Sequence, residues 1–267
     1  MRPLTPRLRL ILQVFAGLAL IAGALLSFGA TRTDAWWAWT IAPPLTAATL
    51  GGYYWAAFVL ILSAARSKTW VQARPAVYPV AVIAVLLLLT TIKHIDKFDL
   101  NSLFGIFWLV AYAVVPLLLA WALVDQLRQP GEDGRLGPAL PGLLRWALII
   151  EGVAMLGTGC VLLFSAGLAD DLWPWALTPL TSRAIGSFLA GIGVAALVAA
   201  RDDDPVSFRG AALAYTVLGL LELLALLLHT PDLEGDHFDT AIYVASWLVV
   251  TLTGVYGLSA ARAASRS

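Results

Sequence analysis

The chain has 267 residues, of which 60% are hydrophobic and 13% charged, with a formal net charge of zero and a mean hydropathy of +0.83. Soluble domains carry roughly 25% charged residues, so this composition excludes an ordinary soluble fold, and the balanced charge gives no reason to expect nucleic acid as a partner. The single cysteine, Cys160, excludes an intramolecular disulfide, and no Cys/His zinc spacing is present.

Runs of ~20 apolar residues match about 30 Å of hydrocarbon. They predict an all-α polytopic membrane protein with eight spans, at 10–30, 45–65, 76–93, 102–124, 143–166, 182–200, 210–229 and 240–261. The first run follows Arg2, Arg7 and Arg9, as a signal peptide would. It is long for a signal h-region, and Phe28-Gly29-Ala30 is a poor cleavage site, so it is read as a membrane helix.

A Trp-rich, Pro-centred segment precedes span two, W-A-W-T-I-A-P-P-L-T-A-A-T-L-G at 37–51. A near copy, W-P-W-A-L-T-P-L-T-S-R-A-I-G at 173–186, precedes span six, and each following run closes on Ala-Ala-Arg, at Arg66 and Arg201. His94 ends span three and His229 ends span seven, 135 residues apart. Phe98-Asp99 answers Phe238-Asp239, and Trp108-Leu-Val answers Trp247-Leu-Val. The predicted organisation is a first four-helix repeat at 1–128, a linker at 129–142 rich in Pro and Gly, and a second repeat at 143–267. An even number of spans per unit makes these parallel repeats, related by a pseudo-twofold axis along the membrane normal.

Thirteen of the Lys and Arg residues lie in the loops on the side of the termini and four (Arg32, Lys93, Lys97, Arg183) on the other. By the positive-inside rule both termini are expected in the cytoplasm. The fourteen arginines against three lysines read as the coding bias of a high-GC bacterium, so the expected location is a bacterial inner membrane. The W-x-W segments are expected in the aromatic belt of the outer interface. Thr178 is expected to cap span six, with Pro179 at its first helical position. Ser187, Gly191, Ala195 and Ala199 recur every fourth residue, as do Gly52, Ala56 and Ala64 in span two. This spacing predicts close packing of spans two and six, against each other across the axis.

Two acids fall inside spans, Glu151 and Glu222. A carboxylate in hydrocarbon costs at least ~2.5 kcal/mol, so each is expected to face the bundle interior. Neither is duplicated; Glu222 answers Leu87. The three histidines lie on the side away from the termini, and with nearby acids and one arginine they define a polar cluster: His94, Asp99, Arg183, His229, His237 and Asp239. Two imidazoles and a carboxylate can hold a divalent metal, whereas histidines at helix ends can also serve as caps; the spacing matches no metal motif, so the metal stays open. Arg183 is expected to pair with one of the acids. No cofactor is expected, because Walker, dinucleotide and G-x-S-x-G motifs and in-span bis-His pairs are missing.

W-P-W-A-L-T-P-L-T-S-R-A-I-G at 173–186, followed by a His and then Phe-Asp, resembles a group of multi-pass membrane proteins of high-GC bacteria. The resemblance covers most of the chain through its repeats; it implies the multi-pass fold and brings no activity or functional residue with it. The residues themselves support transport of a small solute, ion or lipid, with proton coupling through Glu222 as one form of it. The alternatives are a non-catalytic membrane subunit or scaffold, and an intramembrane enzyme at the outer leaflet built on His94, His229 and Asp239. The expected partner is the lipid bilayer; a homo-oligomer or another membrane protein stays open.

Overall fold

The computed structural model describes residues 1–165, 173–234 and 237–266. The side chains of His237 and Phe238 and the last residue of predicted span five, 166, lie outside the described residues. Helix starts follow local chemistry. Thr5 accepts from the Leu8 N–H with Pro6 at the first position of α1 (Pro6–Phe28). Ser102 does the same through the Gly105 N–H for α5 (Leu103–Leu127), and Thr178 through the Thr181 N–H for α7 (Pro179–Asp202), as expected. Asp204 accepts from both the Val206 and Ser207 N–H groups of α8 (Pro205–Leu228). These side chains supply acceptors for N–H groups that the helix cannot satisfy itself. The start of α3 (Pro44–Ala65) is served from the other half of the chain: the Leu45 N–H donates to Asp232 Oδ2 at 2.9 Å.

A short α2 (Thr33–Trp36), α4 (Trp70–Lys93), α6 (Gly142–Phe164) and α9 (His237–Ala264) complete the helices. All but α2 are long and apolar enough to cross a bilayer. The helices outrun the predicted spans mainly at polar starts. α4 begins six residues before 76 and carries Pro75 and Pro79 within it, and α8 begins five residues before 210 at its Asp204 cap. Pro75 and Arg209 interrupt the apolar runs without ending the helices.

Three hairpins set the packing: α1 on α3, α6 on α7, and α8 on α9. They are joined by α3 against α8 and α4 against α7, which places α3, α4, α7 and α8 at the centre. α7 and α3 are the most enclosed helices and α5 the least. Glycines create the closest seams. A Cβ at Gly159 of α6 would stand 2.7 Å from the Ala190 N and 2.8 Å from the Gly186 O of α7, and one at Gly193 would stand 2.7 Å from the Gly152 O. Such pairs let backbones approach where lipid removes the hydrophobic incentive to associate. The expected tight pairing of spans two and six does not form. Their helices, α3 and α7, meet chiefly through Tyr53 and Tyr54 on Phe188, with ring centroids 5.4 and 4.9 Å apart, because glycine seams commit each to another neighbour.

The Trp segments also depart from expectation. Trp37, Trp39, Trp173 and Trp175 are all less than 10% exposed, so they do not form an interfacial belt. They fold inward as irregular backbone buried in protein, the setting in which a membrane tolerates it. Trp37 and Trp39 pack on Trp108 (5.3 and 4.8 Å), and Trp173 and Trp175 on Tyr243 (5.6 and 5.2 Å). At the opposite end, which carries the termini, Arg74 makes a two-pronged bond to Asp202, both contacts 2.7 Å. The 129–142 segment is tied to the bundle there by Arg135 and the Leu140 N–H on Asp203 and by the Arg2–Asp133 ion pair.

Candidate functional site

Glu222 is fully buried between α3, α8 and α9. It lies about 9 Å from the Leu228 end of α8 at 1.5 Å per residue, nearer the Trp-bearing end than a span starting at 210 implies, because α8 begins at Pro205. Its Oε2 accepts from the Tyr243 hydroxyl at 2.8 Å. Its Oε1 has no hydrogen-bond partner of good geometry, and neither have the buried Thr49 Oγ1 and Tyr53 hydroxyl, both of which interact with this carboxyl. Thr49, Gly52 and Tyr53 stand at i, i+3 and i+4 on one face of α3. Gly52 is the residue that admits the acid: a Cβ there would lie 2.5 Å from Oε1. On its own helix Glu222 shares a buried face with Tyr215, Gly219 and Ala225.

Glu151 occupies a second place, between α6 and α9. Thr253 Oγ1 donates to its Oε1, Oε2 is buried without a partner, and Tyr215 is within electrostatic range. Both acids are thus turned to other helices.

Of the polar cluster, the structure joins His94 and Arg183, with Nε2 to Nη1 at 3.1 Å. Arg183 also donates to the Pro179 carbonyl, and no carboxylate pairs with it among the described residues. Burial, then Arg183, then Lys93, hold the His94 imidazole below its ordinary range, with Asp96 opposing them. The Arg183 donor requires an accepting, neutral ring. His229 Nδ1 stands 4.0 Å from Asp232, whose carboxylate serves Leu45. Asp99 accepts from the Asn101 N–H in its own turn, and Asp239 is half-buried in the first turn of α9. Among the described residues no group of three or more His, Cys, Asp and Glu side chains is placed to hold a metal.

Three cavities lie along α3 and α4, and two of them also reach α8. One of about 150 Å³ sits between α1, α3, α4 and α5; its lining is apolar but for the Tyr54–Tyr112 hydroxyl pair at 2.6 Å and the indoles of Trp37 and Trp108. A central one of about 40 Å³ is bounded by Tyr53, which interacts with Glu222, and by Tyr215, which interacts with Glu151. The third, of about 760 Å³, opens at the end carrying the termini. The first and central cavities share the walls Ala57, Val80, Ile83 and Phe188; the central and third share Leu60 and Ala211.

All-helical among the described residues, with eight helices long and apolar enough to cross a bilayer, the chain is a multi-pass membrane protein. Comparison with protein-family models, curated sequences and solved structures gives no match. The partners of the acids, Thr49, Tyr53, Tyr243 and Thr253, do not stand out in the sequence. The face shared by Thr49, Gly52 and Tyr53 is the available signal, but nothing in α3 alone says which acid it meets.

Proposed function

We propose that the protein is a membrane carrier for a lipid-like amphiphile, which moves along the seam of α3 and α4, with Glu222 as the proton-exchanging carboxylate. The observation that carries this reading is the file of three cavities with common walls, running from the Trp-bearing end to the end with the termini. Tyr53 lines the middle of that file and faces Glu222 from the other side. Substrate sites of duplicated carriers lie near the midplane between repeats. Parallel duplication is supported by the neighbours: exchanging the halves turns the α1–α3 pair into α6–α7, α4–α5 into α8–α9, and α3–α8 into α7–α4. The Lys and Arg distribution supports cytoplasmic termini in a bacterial inner membrane.

The scaffold reading is favoured by one feature, the broad apolar flank of α5, where Leu103, Phe107, Val110, Leu117 and Trp121 are exposed. The two separate in proteoliposomes that carry a head-labelled phospholipid and a membrane-impermeant quencher. A carrier makes inner-leaflet label accessible faster than protein-free vesicles, and a pH gradient changes the rate. Ala57→Phe and Ala211→Leu, which fill the two necks, should slow transfer at least tenfold while the protein still elutes as a single species. Wild-type transfer no faster than in empty vesicles would leave the scaffold.

A further inference from the structure

The third cavity has a chemistry that the other two lack. Its rim carries Arg66, Lys68, Arg209 and Arg262, and no carboxylate lines it. Among the described residues none of these four is in an ion pair, whereas four other arginines at this end are: Arg2 with Asp133, Arg7 with Asp125, Arg74 with Asp202 and Arg135 with Asp203. The rim is held in place. Arg66 caps the C-terminus of α3, and the turn after it is anchored by the Leu4 N–H on the Lys68 carbonyl and by Arg9 on the Ser67 carbonyl. Arg209 stands on the first turns of α8 and Arg262 on the last turn of α9. Gln72 spends its Oε1 on the Lys68 N–H and the Thr69 hydroxyl, and its amide N–H groups have no protein acceptor among the described residues. Below this rim the walls turn apolar, at Leu60, Leu213 and Leu258. The volume, about 760 Å³, is that of a ligand site.

We infer that this cavity is a binding site for the phosphate headgroup of an anionic phospholipid, with the four cations on the phosphate and the leucines on the first acyl carbons. Basic pockets between membrane helices bind anionic headgroups, and guanidinium groups match phosphate oxygens geometrically. A soluble phosphate ester would use the cations and leave the leucines without a role; the apolar floor selects the lipid. Binding at this site does not depend on the carrier reading; movement of the bound lipid does, and the site names the headgroup class such a carrier would accept.

The test is native mass spectrometry of the full chain in detergent, titrated with phosphatidylglycerol, with phosphatidylcholine of the same acyl chains, and with glycerol 3-phosphate. Phosphatidylglycerol should bind in preference to phosphatidylcholine. Each of Arg66→Gln, Arg209→Gln and Arg262→Gln should weaken it about fivefold, the effect of one cation near an anionic surface. Arg145→Gln, at the same end and outside the cavity, should leave it unchanged. Arg209→Lys should retain most of the binding, which separates loss of charge from loss of fold. Equal binding of the two lipids, an Arg145→Gln effect as large as the others, or displacement by millimolar glycerol 3-phosphate would each overturn the inference. Ala57→Phe lies outside this cavity and should bind phosphatidylglycerol normally. Intact binding with no lipid movement in any variant would sink the carrier and leave the headgroup site standing.

Discussion

A carboxyl with one oxygen bonded and one bare, as at Glu222, separates a structural role from a functional one. In Glu222→Gln the amide oxygen still accepts from Tyr243, so stability should stay within about 1 kcal/mol of wild type. If Glu222 exchanges the proton, lipid transfer should lose its response to a pH gradient in this variant; an unaltered response would remove Glu222 from the mechanism. Gly52→Ala tests the fit of the acid. Its Cβ collides with Glu222 Oε1 in the wild type, so it should cost about 1–3 kcal/mol there and measurably less in a Glu222→Ala background, since contacting residues couple. Equal costs in both would mean that Gly52 does not seat the carboxyl. His94 gives a pH-dependent expectation. Its imidazole is held below the ordinary 6.5, by burial first and Arg183 next, so the unfolded chain takes the proton first on acidification. Stability from the His94–Arg183 bond is whole above pH 6.5 and is lost as pH falls below it. The melting advantage of wild type over His94→Gln should therefore shrink from pH 7.5 to 5; an advantage that grows would reverse the assignment of a neutral ring. Glu151 and Glu222 stand out in the sequence because a carboxylate in an apolar run is conspicuous. Their partners do not, because Thr49, Tyr53, Tyr243 and Thr253 are unremarkable until α3 and α9 are laid against α8 and α6.

Helix existence is readable from apolar run length, and the Thr178–Pro179 start from its residue types. Helix partners are not. α7 offers several stripes of small residues, and the most regular one, Ser187-Gly191-Ala195-Ala199, is offset from Gly186 and Gly193, which make the closest approach to α6. Which stripe is used depends on where the facing helix has its own glycines, here Gly152 and Gly159, and a single-helix pattern carries no such information. The W-x-W segments mislead for a related reason: Trp suits both the interface and a buried aromatic cluster, and the facing Trp108 and Tyr243 decide between them. The glycine seam yields a paired prediction. Gly159→Ala pushes a methyl into the Ala190 N and Gly186 O of α7 and should destabilise by about 1–3 kcal/mol. Gly157→Ala, two residues earlier on the same helix with nothing within 4 Å of its added Cβ, should be neutral or stabilise by up to about 1 kcal/mol. Thermal loss of the monodisperse species in detergent measures both; equal behaviour would mean that the α6–α7 seam does not depend on glycine contact.

At the scale of the whole molecule the two halves are alike in neighbours and unlike in contents. α1 and α5 enclose an apolar cavity, whereas α6 and α9, their counterparts under exchange of the halves, are bridged by Glu151 and Thr253. The second half likewise supplies the acid at Glu222, where the first half has Leu87. On the carrier reading, halves with similar neighbours supply two similar walls, and the second half alone supplies the acids, Glu151 and Glu222. Orientation decides which face receives the basic cavity. In the orientation proposed from the positive-inside rule, Arg66, Lys68, Arg209 and Arg262 would face the cytoplasm, where the leaflet's own anionic lipids would meet them. In a Cys160→Ala background, single cysteines at Asp96 and Glu234, both exposed at the Trp-bearing end, should react with an impermeant thiol reagent added to intact cells. Cysteines at Asp133 and Ser265, exposed at the other end, should react only after the membrane is opened. The reverse pattern would turn the basic cavity outward and make the proposed site one for the outer leaflet. A mixed pattern within one end would break the eight-span topology, and the parallel duplication with it, because four spans per half fix both linker and termini on one side.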